Sequence, residues 1–257
     1  MIKESEYFIF DGRKSTDFDV INVNMQMPLS EHLIADRQIY ETVVKDRDKP
    51  YFGYVHKDPL SFDLFLYLGD RYRWDQEYKE NMFQKLAGWL DVDTYKPLSF
   101  CENLDRVYYA LPIEETELYH NGLGQGYIQV YMRCDSPYSY SHFVDTGFQK
   151  VDVKEYIEIE NDGMPINIEF SVKKIGNGEL KITNMSNVSS SPVVIKNLKN
   201  GEEFTITKAG RFITDDDSHL INDDYNYEDL KLAYGLNRLM IEGSCYIKFK
   251  YQRQYAQ

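Results

Sequence analysis

The side chains best suited to chemistry in this chain are its carboxylates. Asp215, Asp216 and Asp217 in one run and Asp223 with Asp224 in another crowd the oxygen ligands that hard cations prefer. Neither run has the spacing, central Gly and distal Glu of an EF-hand loop, so a solvated acidic loop is expected and no metal site is assigned. The five histidines, His32, His56, His120, His142 and His219, are scattered, and no His-Glu-x-x-His pattern places two imidazoles on one helix face. His56 precedes Lys57-Asp58-Pro59 and His120 precedes a Gly-rich stretch, which reads each as a surface or turn residue. Cys101, Cys134 and Cys245 are odd in number, far apart and outside any Cys-x-x-Cys, which points to free buried thiols and excludes a zinc ribbon. Gly122-Leu-Gly-Gln-Gly126 joins strand to strand, with no following helix whose N-terminus could hold a phosphate. A glycosidase-type carboxylate pair would be drawn from separate strands, which spacing alone does not locate. No catalytic, cofactor or metal residue is therefore assigned, and a structural or binding role is expected in place of an enzyme.

Composition narrows the class further. With 257 residues, 42% hydrophobic and 15% aromatic, the chain can bury a sizeable core in one large or two modest domains. No apolar run reaches the roughly 18 residues that suggest a membrane span. Charges in MIKESEYFIF occupy the place of a signal peptide's apolar stretch, so cytosol-like conditions are expected; the sequons at Asn184 and Asn187 then carry little weight. The net charge of −13 argues against nucleic-acid binding through clustered Lys and Arg. Residues 1–135 hold 15 basic and 24 acidic side chains, net −9, and the remainder 14 and 18, net −4. Such a surface keeps a protein soluble, and it would also let a polyanion slide past without sticking.

The elements that position these residues are mainly strands. Residues 7–23 read as strand, Asp-Gly turn, strand. Residues 27–50 are charged with one alternating core, 39–44, and suggest a projecting arm or long hairpin. Strands are expected at 51–55 and 60–68, the second alternating Phe62, Leu64, Leu66 and Leu68. One helix is predicted over about 76–90. Asp75 is its N-cap, Glu77 and Glu80 lie at the positive end of its dipole, and Met82, Phe83, Leu86, Trp89 and Leu90 form one apolar face. Strands follow at 106–113 and 127–134, where Ile128, Val130, Met132 and Cys134 alternate inward. Turn-rich residues 135–141 read as a linker.

Beyond the linker the alternation is regular. Ile166, Ile168, Phe170 and Val172 share one face of a strand; Ile157 with Ile159 and Leu180 with Ile182 do the same in flanking strands. Gly176-Asn177-Gly178 supplies the positive φ of a tight hairpin, and Asn200-Gly201 marks another turn. Residues 238–242 and 245–251, with Cys245, Ile247, Phe249 and Tyr251 inward, are expected to supply a second sheet. Short strands with hairpin signals and no strong helix indicate an antiparallel β-sandwich.

Taken in order, FIFDGRKSTDFDV, YFGYVHKDPLSFDLFLYL, a helix ending in GWL, the junction GYIQVYMRCDSPYSYS, and IEIENDGMPINIEF with NRLMIEGSCYIKFKY resemble the distal tail protein of long-tailed (siphovirus) bacteriophages over nearly the whole chain. The resemblance implies a mostly β fold: residues 1–135 as a tail-tube-like β-barrel or split barrel with one packed helix, and residues 136–257 as a galectin-like β-sandwich. It further implies a homohexameric ring at the tail tip or baseplate, joining the tail tube to tip, lysin and receptor-binding proteins, with DNA passing through its lumen and no membrane insertion. Residues 27–50 would be an inter-subunit arm whose contacts include Ile39, Tyr40, Val43 and Val44. The protein would reside in the virion after synthesis in the host cytoplasm. Two other readings remain: a carbohydrate-binding, lectin-like protein for the host cell wall, and a tail-tube subunit. Trp74 and Trp89 both lie in the first part, so the sandwich lacks the Trp platform common in saccharide sites, although its tyrosines could substitute.

Overall fold

The computed structural model describes residues 5–23, 37–68, 76–120, 126–187, 190–214 and 223–256. Trp74, Asp75, residues 121–125, Asp215–Asp217, His32 and His219 lie outside them, as does the stretch of the expected arm before Arg37. The chain divides into two compact units, Met1–Tyr140 with Ala256–Gln257, and Ser141–Tyr255.

The first unit begins with β1 (Phe8–Phe10), β2 (Arg13–Lys14), a 3-10 turn at Ser15–Phe18 and β3 (Val20–Val23). It continues with β4 (Arg37–Thr42), β5 (Tyr51–Lys57), β6 (Ser61–Leu68), α1 (Gln76–Leu90), β7 (Lys96–Phe100), β8 (Asn103–His120), β9 (Gly126–Cys134) and β10 (Tyr138–Tyr140). The main sheet runs β2-β1-β7-β8-β9-β6-β3, so β1 with β2 and β3, all from residues 7–23, end on opposite sides of it. Its far edge meets the start of the chain: Asn22 donates its N–H to Glu6 O (2.8 Å) and its Nδ2 to Ser5 O (2.9 Å). Cys101 N–H donates to Tyr7 O on the other flank, so residues 5–7 curl the sheet toward a barrel.

Alternation fills the interior. Leu64 and Leu66 from β6, and Ile128, Val130, Met132 and Cys134 from β9, are buried against Phe8, Phe10 and Leu98. Helix α1 lays Met82, Leu86, Trp89 and Leu90 on this core, with Phe83 packed beside it. Each such side chain contributes about 1.5–3 kcal/mol on burial. The stretch expected as a linker, residues 135–141, instead contributes β10, whose Tyr140 pairs with Val107 and whose Ser139 is buried. Composition alone marked it as turn, but Ser136 and Tyr140 hydroxyls bond at 2.7 Å and Tyr140 packs edge-on against Tyr109.

The second unit is an antiparallel sandwich. It comprises β11 (Val144–Asp145), β12 (Gln149–Val151), β13 (Lys154–Asn161), β14 (Ile166–Asn167), β15 (Glu169–Lys174), β16 (Gly178–Asn184), β17 (Val193–Leu198), β18 (Glu203–Ile206), β19 (Phe212–Thr214), β20 (Lys231–Leu232), β21 (Gly235–Glu242) and β22 (Cys245–Tyr251). One sheet is ordered β11-β22-β15-β18-β19, with β12 also on β22; the facing sheet is β13-β21-β16-β17; β14 pairs with β20. Phe170, Val172, Ile182, Ile195, Leu239, Ile241, Ile247 and Phe249 meet in the core between them.

Three connections differ from the sequence expectation, for one reason. A positive φ reverses the chain without fixing which sheet receives the next strand. Gly176 (φ 67°) and Gly178 (φ 133°) carry it from β15 to β16 in the opposite sheet, and so do the turns from β17 to β18 and from β21 to β22. Ile166–Val172 is likewise not one strand: it breaks at Ile168, whose N–H donates to Leu230 O at 2.9 Å, although its alternate residues are all buried. The three crossing turns are tied together. Asn200 Oδ1 accepts Gly176 N–H (2.7 Å) and Asn177 Oδ1 accepts Asn200 N–H (2.8 Å). Lys174, only 4% exposed, donates Nζ to Ile175 O and Ser244 O, both at 3.1 Å, which satisfies an ammonium that burial would otherwise penalise.

Candidate functional site

β4 and β5 form a two-stranded sheet of their own, and every residue of both strands except Lys57 is exposed. The register is Ile39 to Val55 and Tyr40 to Tyr54, with a bulge between Tyr40 and Glu41. Ile39 is 63% exposed, Tyr40 45%, Val43 76% and Val44 43%; across the hairpin Tyr51 is 55% exposed, Phe52 67%, Tyr54 58% and Val55 39%. A two-stranded hairpin is marginal in water by itself, and this one holds a contiguous set of large apolar side chains in solvent.

Local chemistry shapes this arm. Tyr40 stacks on Tyr54 with ring centroids 4.7 Å apart, and the Arg47 guanidinium lies 3.7 Å from the Tyr51 ring centroid. At the bulge a Cβ on Gly53 would stand 2.8 Å from Tyr40 O, so the residue there must lack a side chain. The base is anchored: Lys57 Nζ donates to Tyr138 OH at 2.9 Å, and His56 Nε2 lies 3.3 Å from Asp58 Oδ1.

Ile39, Tyr40, Val43 and Val44 therefore fall on one strand and the tip of a single hairpin. Sequence reasoning placed 51–55 outside the arm, whereas these residues pair with 39–42 in it. A signal was present. A strand with one buried face keeps its apolar residues on one parity, but Tyr51, Phe52, Tyr54 and Val55 occupy both.

The remaining chemical candidates are dispersed. Burial, the leading cause, pushes the Cys134 thiol up from 9.0 to about 12 and the Cys245 thiol up to about 11, so both are protonated and inert near neutrality. Cys101 is half-buried. Asp224 Oδ1 accepts a bond from Asn197 Nδ2 at 2.7 Å, and no cluster able to hold a metal is found among the described residues. His142 is exposed and far in sequence from the other described histidines, His56 and His120, the latter ending β8 opposite Gly126. Among the described residues no helix is long and apolar enough to cross a membrane. Trp89, 3% exposed, is a core residue.

Comparison with known proteins fixes the family. The model of a phage tail protein N-terminal domain matches residues 3–136, and that of a phage tail C-terminal domain matches residues 138–251. The chain belongs to this family of phage tail proteins. It is 35% identical to the SPbeta prophage-derived uncharacterized protein YomH of Bacillus subtilis (strain 168), covering 99% of this chain and 100% of that protein. Among solved structures this phage tail protein is similar to SPP1 Dit (gp 19.1), described as a paradigm of the hub adsorption apparatus in phages infecting Gram-positive bacteria. The TM-score is 0.66 at 15% identity, covering 96% of this chain and 98% of that one. It is also similar to a chain of the phage P2 baseplate in its activated conformation with Ca, with TM-score 0.50 at 8% identity over 96% and 97% of the two chains. The described fold is mostly β, a barrel-like sheet with α1 packed on it and an antiparallel sandwich, and it is similar to that of SPP1 Dit.

Proposed function

We propose that this protein is the structural hub of a siphovirus tail tip or baseplate. Six copies form a ring that joins the tail tube to tip and host-adhesion proteins, and DNA leaves through its centre. Residues 1–135 build the ring, residues 136–257 face outward and dock other tail proteins, and the protein acts in the virion without catalysis. The observation that carries this reading is the β4–β5 hairpin, whose apolar side chains stand in solvent on both faces of an otherwise well-packed unit. A neighbouring copy would bury Ile39, Tyr40, Val43 and Val44 together with Tyr51, Phe52, Tyr54 and Val55, and closed rotational symmetry would satisfy every arm at once.

Charge supports the channel. Net −9 over residues 1–135 disfavours adhesion of a like-charged polymer, so DNA would slide through. The full-length similarity in fold to a hub protein supports the same assignment.

The test is light scattering with negative-stain imaging of the purified protein, alone and with tail-tube protein. A six-fold ring with an open centre is expected. A strict monomer at high concentration with tube protein present overturns the reading, and long stacked polymers would assign the chain to the tube.

A further inference from the structure

We propose that the outer edge of β13 receives an extended segment of a partner protein, added as a further strand, in which apolar residues alternate with lysine or arginine. Two hydrogen bonds fix which backbone groups of β13 face outward. Gly243 N–H donates to Val153 O, which puts Val153 and every second residue after it, Glu155, Ile157 and Ile159, in bonds toward β21. The intervening Lys154, Tyr156, Glu158 and Glu160 therefore point their N–H and C=O away from the sheet. Arg253 agrees, since its Nη2 reaches Glu160 O at 3.2 Å from that outer side. Among the described residues the outward backbone groups of Lys154, Tyr156 and Glu158 have no protein partner.

The opposite edge of the same sheet is treated differently. There Lys196 N–H donates to Asp224 O, Asn226 N–H donates to Val194 O, and Val194 N–H donates to Asn226 Oδ1, so a loop covers β17. One edge is closed and the other is left open as a template.

Side chains define what fits. Lys154 is paired with Glu242 at 3.0 Å, whereas Glu155, Glu158 and Glu160 are exposed and have no ion pair among the described residues. Two copies of this edge would bring glutamates together, which rejects self-pairing and selects a basic strand. On the outer face Tyr156, 48% exposed, carries the Arg238 guanidinium 4.3 Å from its ring centroid and offers an aromatic anchor. On the inner face Ile157 and Ile159 end the core, so alternate apolar residues of an added strand would extend it. The proposal goes beyond the hub reading and holds whether or not a ring forms.

The test uses the full-length protein and a short acetylated peptide alternating valine and lysine, followed by fluorescence anisotropy and hydrogen exchange read by mass spectrometry. Added peptide is expected to slow exchange over residues 154–160, and a valine–glutamate peptide is expected not to. Glu158→Pro removes an outward N–H that the β13–β21 ladder does not use, and should weaken binding about tenfold with the circular dichroism unchanged. If that variant fails to fold, Glu158→Lys with Glu160→Lys carries the same expectation through charge. No protection over 154–160 at saturating peptide, equal binding of the valine–glutamate peptide, or undiminished binding by the charge variant overturns the proposal. Light scattering on the same samples reads ring formation separately, so the two readings fail independently.

Discussion

Trp89 donates its indole N–H to the carbonyl oxygen of Phe10 at 2.9 Å, which fixes α1 to β1 by a directed bond as well as by packing. The same indole stacks on Phe18 at 4.3 Å and on Phe8 at 5.6 Å. Trp89→Phe keeps much of the packing and removes the indole bond to a Phe10 carbonyl that Arg13 of β2 still meets, so a loss of about 0.5–1.5 kcal/mol is expected. Trp89→Ala should cost about 3–5 kcal/mol. Urea unfolding followed by far-ultraviolet dichroism checks both, and a Trp89→Phe variant as stable as wild type would show that the hydrogen bond contributes nothing.

The arm separates assembly from stability. Ile39→Asp with Val43→Asp alters exposed positions and should shift unfolding free energy by no more than about 0.5 kcal/mol. The proposed ring should nevertheless dissociate, as read by light scattering. Gly53→Val should have the same effect by another route, because its Cβ meets Tyr40 O and breaks the register of the hairpin.

Phe170 is fully buried and opposite Phe249, with ring centroids 6.5 Å apart. Phe170→Asp places an unpaired charge between the sheets and should unfold the second unit, a loss above about 4 kcal/mol. A native melting temperature in that variant would contradict the packing described.

Alkaline pH probes the thiols. Cys134 and Cys245 have folded pKa values raised from 9.0 to about 12 and about 11, so the folded state holds protons that the unfolded state releases. Their contribution to stability is complete below pH 9.0 and is lost as pH rises through the folded values. At pH 8 a thiol reagent should modify Cys101 readily and the other two only after denaturant is added. Stability of Cys134→Ser, compared with wild type between pH 8 and 11, should show a flatter alkaline decline.

Periodicity made much of this fold legible. The face of α1 and the alternation in β9 and β22 needed only the sequence, because burial on one side imposes the repeat of the element itself. Partnership did not follow. Gly176-Asn177-Gly178 encodes a reversal, and nothing local in it says that β15 and β16 enter different sheets. Nor did alternation reveal the hairpin's second strand, since Tyr51 and Phe52 have the residue types of a core strand although both are exposed. The short polar stretch that became β10 was missed because its strand character rests on tertiary contacts to Tyr109 and Val107. Of the β4–β5 hairpin, the sequence reading named four residues on one strand and the tip and left out the facing strand, 51–55.

The order of strands in the second unit has a consequence for synthesis. β22 lies between β11 and β12 on one side and β15 on the other, while β21 lies between β13 and β16, so an interior strand of each sheet is among the last to leave the ribosome. Neither sheet can close on earlier residues alone. A chain broken off before Gly235 would leave β11, β12 and β13 without the strands they pair with and present an open, sticky fragment to cellular proteases. Only a chain translated through Tyr251 yields a sandwich, which makes completeness of translation a condition for entering any larger particle.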